Sequence, residues 1–324
     1  MRRREFLGAL GGAAAGWPLA ARGQQGVRHP RIGILIFSTP QSDPNIQSFR
    51  QGLRELGYVK GQNAVIEYRY AEGKHERLPG LAAELVGLKP DVVFALGGDV
   101  TPFVSNATQI IPIVYAMSAD PVRLGLAVNL ARPGGNATGV TFLSDELAAK
   151  RLDILKEAAP RISRVGFLWN PDHADNELHV ARQAAGALGL QIHTIETRTS
   201  ADLDGAFNIA TQAGIDAVYV VSSRQTVANV RRIVEFAMRN RLPLVGGWGA
   251  WVQEGGLISY GPNVGAIIRN CAGYVDKILK GAKPGELPVQ QPTRFELLIN
   301  LKTAKALGLS IPESFLLRAD KVIE

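Results

Sequence analysis

The sequence predicts an α/β protein of two doubly wound parallel-sheet lobes, joined by a hinge and facing one another across a central cleft. Three observations carry that expectation. A chain of 324 residues exceeds what one hydrophobic core comfortably organises and points to about two domains of ~100 to 200 residues each. Short β-branched runs alternate with longer helical patterns, which is how βαβ units feed a parallel sheet. The alternation then runs through a second time in the same order.

In the first series, "RIGILIF" (31–37), "NAVIEYRY" (63–70), "DVVFAL" (91–96) and "IPIVYA" (111–116) read as strands. "NIQSFRQGLRELG", "RLPGLAAELVGL" and "DVTPFVSNATQ" read as the helices between them. The second series has strands at "RVGFLWN" (164–170), "QIHTIET" (191–197), "DAVYVV" (216–221) and "LPLVGG" (242–247). Its helices are "NELHVARQAAGALG", "ADLDGAFNIATQAG" and "QTVANVRRIVEFAMRN". Aligned, Arg31 and Gly33 correspond to Arg164 and Gly166, Leu56 and Gly57 to Leu188 and Gly189, Asp91 to Asp216, and Pro112 to Pro243. The offsets drift between 125 and 133 residues, which duplication with altered loops or two generic βαβ runs would both produce. Either origin gives two similar domains, joined after "PGGNATGVTF".

Ligands of open parallel sheets bind beyond the carboxyl ends of the strands, where loops enter helix N-termini. The candidate loops are therefore "STPQSDP", "GGDVT" and "MSADP" on one wall, and "NPDH", "SSRQT" and "GWGAW" on the other. In "GGDVT", Gly97 and Gly98 allow close backbone approach, while Thr101 offers a hydroxyl to a carboxylate. Asp99 suits an ammonium group or the cap of the following helix. Asn170, Ser222 and Ser223 are uncharged hydrogen-bonding groups at strand ends, and Trp248 and Tyr260 are candidate flat apolar walls. A nucleotide site is disfavoured: no GxGxxG follows the first strand, no GxxxxGK[ST] occurs, and Asp99 would repel a pyrophosphate.

Catalysis finds little support, with no GxSxG, no HExxH and five scattered histidines that read as solvated surface residues. No catalytic residue, metal site or cofactor is expected. The formal charge is +7, and the first 23 residues hold four arginines against one glutamate, a net of +3. The remaining +4 is weak evidence for nucleic acid, and no helix-turn-helix pattern precedes the first strand. Residues 1–23 combine a basic start, a short apolar stretch and small residues before Gln24, which is the pattern of an exported signal peptide. Arg3, Arg4, Phe6 and Leu7 are similar to a twin-arginine core. The apolar stretch falls short of the ~20 residues that span a bilayer. The single cysteine, Cys271, recurs with Val264, Ile267, Ile268, Val275 and Ile278 at helical spacing and reads as a core residue.

Through "FRQGLRELGYVKGQN", "IPIVYAMSADPVRLGLAVNLARPGGNATGVTF", "GGLISYGPN" and the segment from "GYVDKILKG" to "ADKVIE", the chain resembles the ABC-transporter substrate-binding proteins of the tryptophan/tyrosine type. The resemblance implies a type I periplasmic-binding-protein fold, a periplasmic location, a small-molecule ligand captured by lobe closure, delivery to a membrane permease, and a monomer. A ligand-sensing domain feeding a membrane receptor would use the same cleft. The resemblance places ligand-facing groups at Ser38, Thr39, Gly98, Asp99, Thr101, Ser118, Ala119, Asp120, Asn170, Ser222 and Ser223. For Asp120 a turn before Pro121 is the plainer reading. "GGD" departs from the small or hydroxyl residues usual there, and this leaves the ligand open between an amino acid and an aromatic acid. The resemblance also implies more than one crossing between lobes, with a first lobe of 28–142 and 263–285 and a second of 143–262 and 286–324.

Overall fold

The computed structural model describes residues 28–39 and 44–324. The expected signal peptide lies outside them. The first lobe runs β1 (Arg31–Ile36), α1 (Pro44–Glu55), β2 (Val65–Tyr70), α2 (Leu78–Gly87), β3 (Val92–Leu96), α3 (Thr101–Ala107), β4 (Ile113–Met117) and β5 (Ala137–Thr141). Its five strands are all parallel, in the order β2-β1-β3-β4-β5. Such a sheet is covered on both faces, and β3, β4 and β5 are buried at every position.

The second lobe begins with α4 (Ser144–Ala158), β6 (Arg164–Trp169), α5 (Glu177–Ala185), β7 (Gln191–Glu196), α6 (Leu203–Gln212) and β8 (Ala217–Val220). It continues through α7 (Arg224–Ala228), α8 (Val230–Arg239), β9 (Leu244–Gly246), α9 (Ala250–Gln253) and β10 (Ile258–Gly261). After α10 (Val264–Leu279), the chain adds β11 (Glu296–Asn300), α11 (Leu301–Leu307), α12 (Glu313–Leu316) and β12 (Lys321–Ile323). The sheet order is β12-β11-β10-β9-β8-β6-β7, with only the β10–β11 pair antiparallel.

The residues that correspond between the two series do the same jobs. Asp91 accepts the backbone N–H of Arg31 at 2.7 Å, and Asp216 accepts that of Arg164 at 2.8 Å. Each acid thereby ties the start of its lobe's first strand. A Cβ at Gly33 would lie 3.0 Å from Leu85, and one at Gly166 would lie 2.5 Å from Ile215, so a helix or loop packs directly on both glycines. Gly57 and Gly189 both take the left-handed conformation, φ 88° and 64°, after a helix ends. The carbonyls of Pro112 and Pro243 both accept from the strand beside them.

Four strands lie outside the runs read as strands. β5 falls within a glycine-containing stretch, β10 is short, and β11 and β12 lie in the C-terminal segment, where the side chain of Asn300 accepts from Thr303 N and caps α11 directly after β11. The helix expected over "QTVANVRRIVEFAMRN" is two, α7 and α8, meeting at non-helical Asn229.

The chain passes between lobes after Phe142, again through Gly261–Asn263, and a third time after Gln290. α10 packs along α1 and against β3, β4 and β5 of the first lobe. The third crossing lies beyond residue 285, because Val289 N donates to Leu130 O and Gln290 pairs with Gly139 and Thr141 along β5. That ladder holds 287–290 on the first lobe.

Candidate functional site

β3 is followed by Gly97, whose φ of 112° suits glycine alone. Its carbonyl accepts from Val100 N, Thr101 N and, at 2.8 Å, Thr101 Oγ1. α3 therefore starts on the Gly97 carbonyl, and no side chain caps it. Thr101 is buried, and its hydroxyl proton is spent inside the loop instead of being offered to a carboxylate. Asp99, released from capping, reaches across the cleft: Oδ1 meets His173 Nδ1, and Oδ2 accepts Arg224 N at 3.2 Å. The capping role expected for Asp99 is not the one observed. It holds the other lobe.

On that lobe β6 ends at Trp169, and Asn170 shapes the next turn, its carbonyl accepting His173 N at 3.0 Å and its Oδ1 accepting Asp172 N at 2.9 Å. His173 is 6% exposed, so the solvated reading of this histidine is corrected. Its Nε2 faces Ser118 Oγ at 2.8 Å and Asp175 Oδ2 at 3.0 Å. Burial works against a charge on the ring, but Asp99 and Asp175 outweigh it and raise the His173 pKa well above the ordinary range. Burial pushes Asp99 up, while the charge and hydrogen bond of His173 and the Arg224 N–H bring it below the usual carboxylate value. Ser118, His173 and Asp99 have the order of a nucleophile–base–acid triad. Asp175 Oδ2, 3.0 Å from the same Nε2, favours the imidazolium, a form with no lone pair to take the Ser118 proton.

The equivalent loop of the second lobe places Arg224. Ser223 caps α7, its Oγ accepting Thr226 N at 3.1 Å, and Ser222 Oγ accepts Trp251 Nε1 at 3.0 Å and Gly247 N at 3.3 Å. Arg224 is 4% exposed, with its guanidinium 4.5 Å from the Trp248 ring centroid and its methylenes against Gly97. Trp248 in turn meets Phe142 edge-on at 5.9 Å, beside the first crossing.

Gly98, Asp99 and Ser118 of the first lobe are thus gathered around His173, and a Cβ at Gly98 would already sit 3.5 Å from its ring. Ala119 is buried beside Gly98. Ser38 and Thr39 stand at the end of β1. Asp120 is exposed, and its Oδ1 accepts Val122 N at 2.8 Å in the plain turn role. Tyr260 packs on Phe295 near the third crossing, and its carbonyl accepts Arg151 Nε, which places it with the hinge. Two cavities flank the gathered groups. One of about 310 Å³ is lined by Ser118, Asp120, Thr141, Asp145, Glu146 and Gln291. The other, about 270 Å³, is lined by Ser48, Trp248, Gln253, Ser259 and Asn263. Burial raises Asp145 to about 6.

Sequence reasoning missed His173, Asp175 and Arg224. A signal was present: "NPDHADNE" sets a histidine among acids directly after a strand, and "SSRQT" sets an arginine at the position matching "GGDVT".

Comparisons with known proteins bear on the family and the fold. Residues 31–323 match the family model described as ABC transporter substrate binding protein. The chain is 26% identical over 285 residues to the tyrosine-binding protein of Clostridioides difficile (strain R20291), spanning 87% of this chain and 82% of that one. A conserved domain protein from Vibrio cholerae superimposes with a TM-score of 0.84 at 28% identity, over 91% of this chain and 100% of that one. The ABC domain in complex with L-Trp from Streptococcus pneumoniae does so with a TM-score of 0.83 at 26% identity, with the same coverage. The fold is the type I periplasmic-binding-protein fold.

Proposed function

Because the chain belongs to the ABC transporter substrate binding proteins, we propose that it is the extracytoplasmic solute-binding component of an ABC importer. It captures a small carboxylate-bearing ligand, an amino acid or an aromatic acid, by closing two lobes as a monomer, and a membrane permease receives the cargo. The observation that carries this reading is the meeting of strand-end loops from both lobes around Asp99, Ser118, His173 and Arg224. Such a cleft closes on complementary charge, and capture of this kind requires no covalent step.

Arg224 supplies the cation that a ligand carboxylate would meet, with Trp248 as a flat wall behind it. This assignment replaces Thr101. The relative named for tyrosine and the structure holding L-Trp support an aromatic ligand. An amino acid would need a partner for its ammonium group other than Asp99, and the carboxylates of Asp145 and Glu146 line the adjoining cavity.

Thermal-shift screening of the purified protein against amino acids and aromatic acids tests the reading. A carboxylate-bearing ligand at a hundredfold excess over Kd should stabilise the fold by ~2.7 kcal/mol. Stabilisation by sugars or cations alone would overturn it.

A further inference from the structure

We propose that His173 is the positioning residue of closure: its side chain brings to Asp99 and Ser118 the cation that joins the lobes, so that shutting the cleft is coupled to holding one proton. The inference rests on capture by two lobes, but its test needs no ligand.

The groups around the ring come from several elements. Asp99 enters from the loop after β3 and Ser118 from the end of β4, both on the first lobe. Asp175 comes from the ring's own loop. Asp145, at the start of α4, contributes at longer range, and Arg123 of the first lobe donates to the carbonyl of Ala174 beside the ring. Arg224 donates its backbone N–H to Asp99 and adds its charge in favour of the same carboxylate. Two carboxylates in direct contact with the ring prevail over the cost of its burial. A buried charge left with too few partners is strongly unfavourable, so this cluster is stable only when complete.

When the lobes part, Asp99 and Ser118 leave with the first and His173 with the second. Water then reaches the ring, and its pKa falls toward ~6.5, held back only by Asp175, which stays beside it. In the closed form it is held well above that. The folded, closed state therefore has the raised value. Its advantage is complete below the open-state pKa, falls roughly tenfold per pH unit above that, and is exhausted once pH passes the raised closed-state value. Asp99 sets the opposite edge: its pKa is lowered on closure, so its contribution is present above ~3.9 and disappears as pH falls through the lowered value. Between those edges closure is favoured, and alkaline conditions release it.

The experiment joins two measurements on the ligand-free protein. Histidine ring NMR across pH 5 to 10 should show one imidazole, absent from the His173→Gln spectrum, that stays protonated well above the others. Small-angle scattering should show compact particles near pH 6 that expand as this ring titrates. Asp99→Asn should move both transitions down together, which a purely structural histidine would not do, and it serves as the second variant if His173→Gln does not fold. A compact state whose size ignores the ring's titration, or a ring that titrates near its ordinary value, overturns the proposal. If the pH response is present and no carboxylate ligand binds, the proposed cargo fails and the proton-linked closure stands.

Discussion

The loops Gly97–Thr101 and Ser222–Thr226 occupy equivalent places in the two lobes and divide their labour in opposite ways. In the first, backbone and hydroxyl turn inward: the Gly97 carbonyl starts α3 and takes the Thr101 proton, which leaves Asp99 to project. In the second, both serines turn inward, Ser223 to cap α7 and Ser222 to hold Trp251, which leaves Arg224 to project. Each loop thus projects one charged residue, an acid on one wall and a base on the other. The interiors differ as well. The first lobe stacks Phe49 on Phe94 at 3.9 Å, whereas the second buries Arg151 against Glu177 at 2.8 Å and Tyr219 at 3.1 Å. Arg151 also holds the carbonyls of Ser144 and Tyr260, which flank the first and second crossings. The second lobe is therefore the one to which the hinge is fastened.

The largest effect should come from breaking that fastening. Arg151→Ala leaves Glu177 as a buried carboxylate with one neutral partner and frees two hinge carbonyls. Breaking a buried pair in this way costs about 3–5 kcal/mol. Chemical denaturation should register it, and a loss below about 1 kcal/mol would show that the ion pair is not what distinguishes the second lobe. The contrasting first-lobe pair, Arg69 with Glu84, is solvent-exposed on the acid side, and Arg69→Ala should change stability by about 0–1 kcal/mol.

Next in size is Gly97→Ala. The φ of 112° strains any side chain, and the added Cβ would meet Arg224 Cγ at 3.0 Å. Strain of this kind costs about 1–3 kcal/mol. Because the second contact spans the cleft, scattering should show a more open particle alongside the lower melting temperature. An unchanged particle size would place Arg224 outside the closure.

These sites also show where sequence alone stops. Two lobes, their parallel sheets and the correspondence of Asp91 with Asp216 were legible because each rests on local pattern, strand periodicity and its repetition; the shared duty of the two acids needed the structure. The strand-end positions of Asp99 and Ser118 were legible too, though not their contacts with His173. The other half of the clamp depended on juxtaposition. His173 is one histidine of five until the turn at Asn170 carries it to residues 55 and 74 positions earlier. Periodicity says nothing about such contacts, and its default for a polar loop is solvent. Thr101 failed for the complementary reason: the residue was correctly placed at the strand end, but its proton had a partner four residues away.

The smallest effects compare the two inward hydroxyls directly. Ser222→Ala removes the acceptor of Trp251 Nε1, on a side chain that is fully buried. An orphaned buried donor costs about 1–3 kcal/mol. Thr101→Ala removes a donor instead, and the Gly97 carbonyl keeps Val100 N and Thr101 N at 3.1 Å each. No group is orphaned, so the loss should be about 0.5–1 kcal/mol, within the range of a single net hydrogen bond. Both variants should be measured by denaturation and by titration with whichever acid the thermal screen identifies. Ser222→Ala should lower stability more than Thr101→Ala, and Thr101→Ala should leave ligand affinity within about twofold, a margin of ~0.4 kcal/mol. A tenfold loss of affinity in Thr101→Ala would return its hydroxyl to the ligand and make the first-lobe loop, like the second, a direct reader of the cargo.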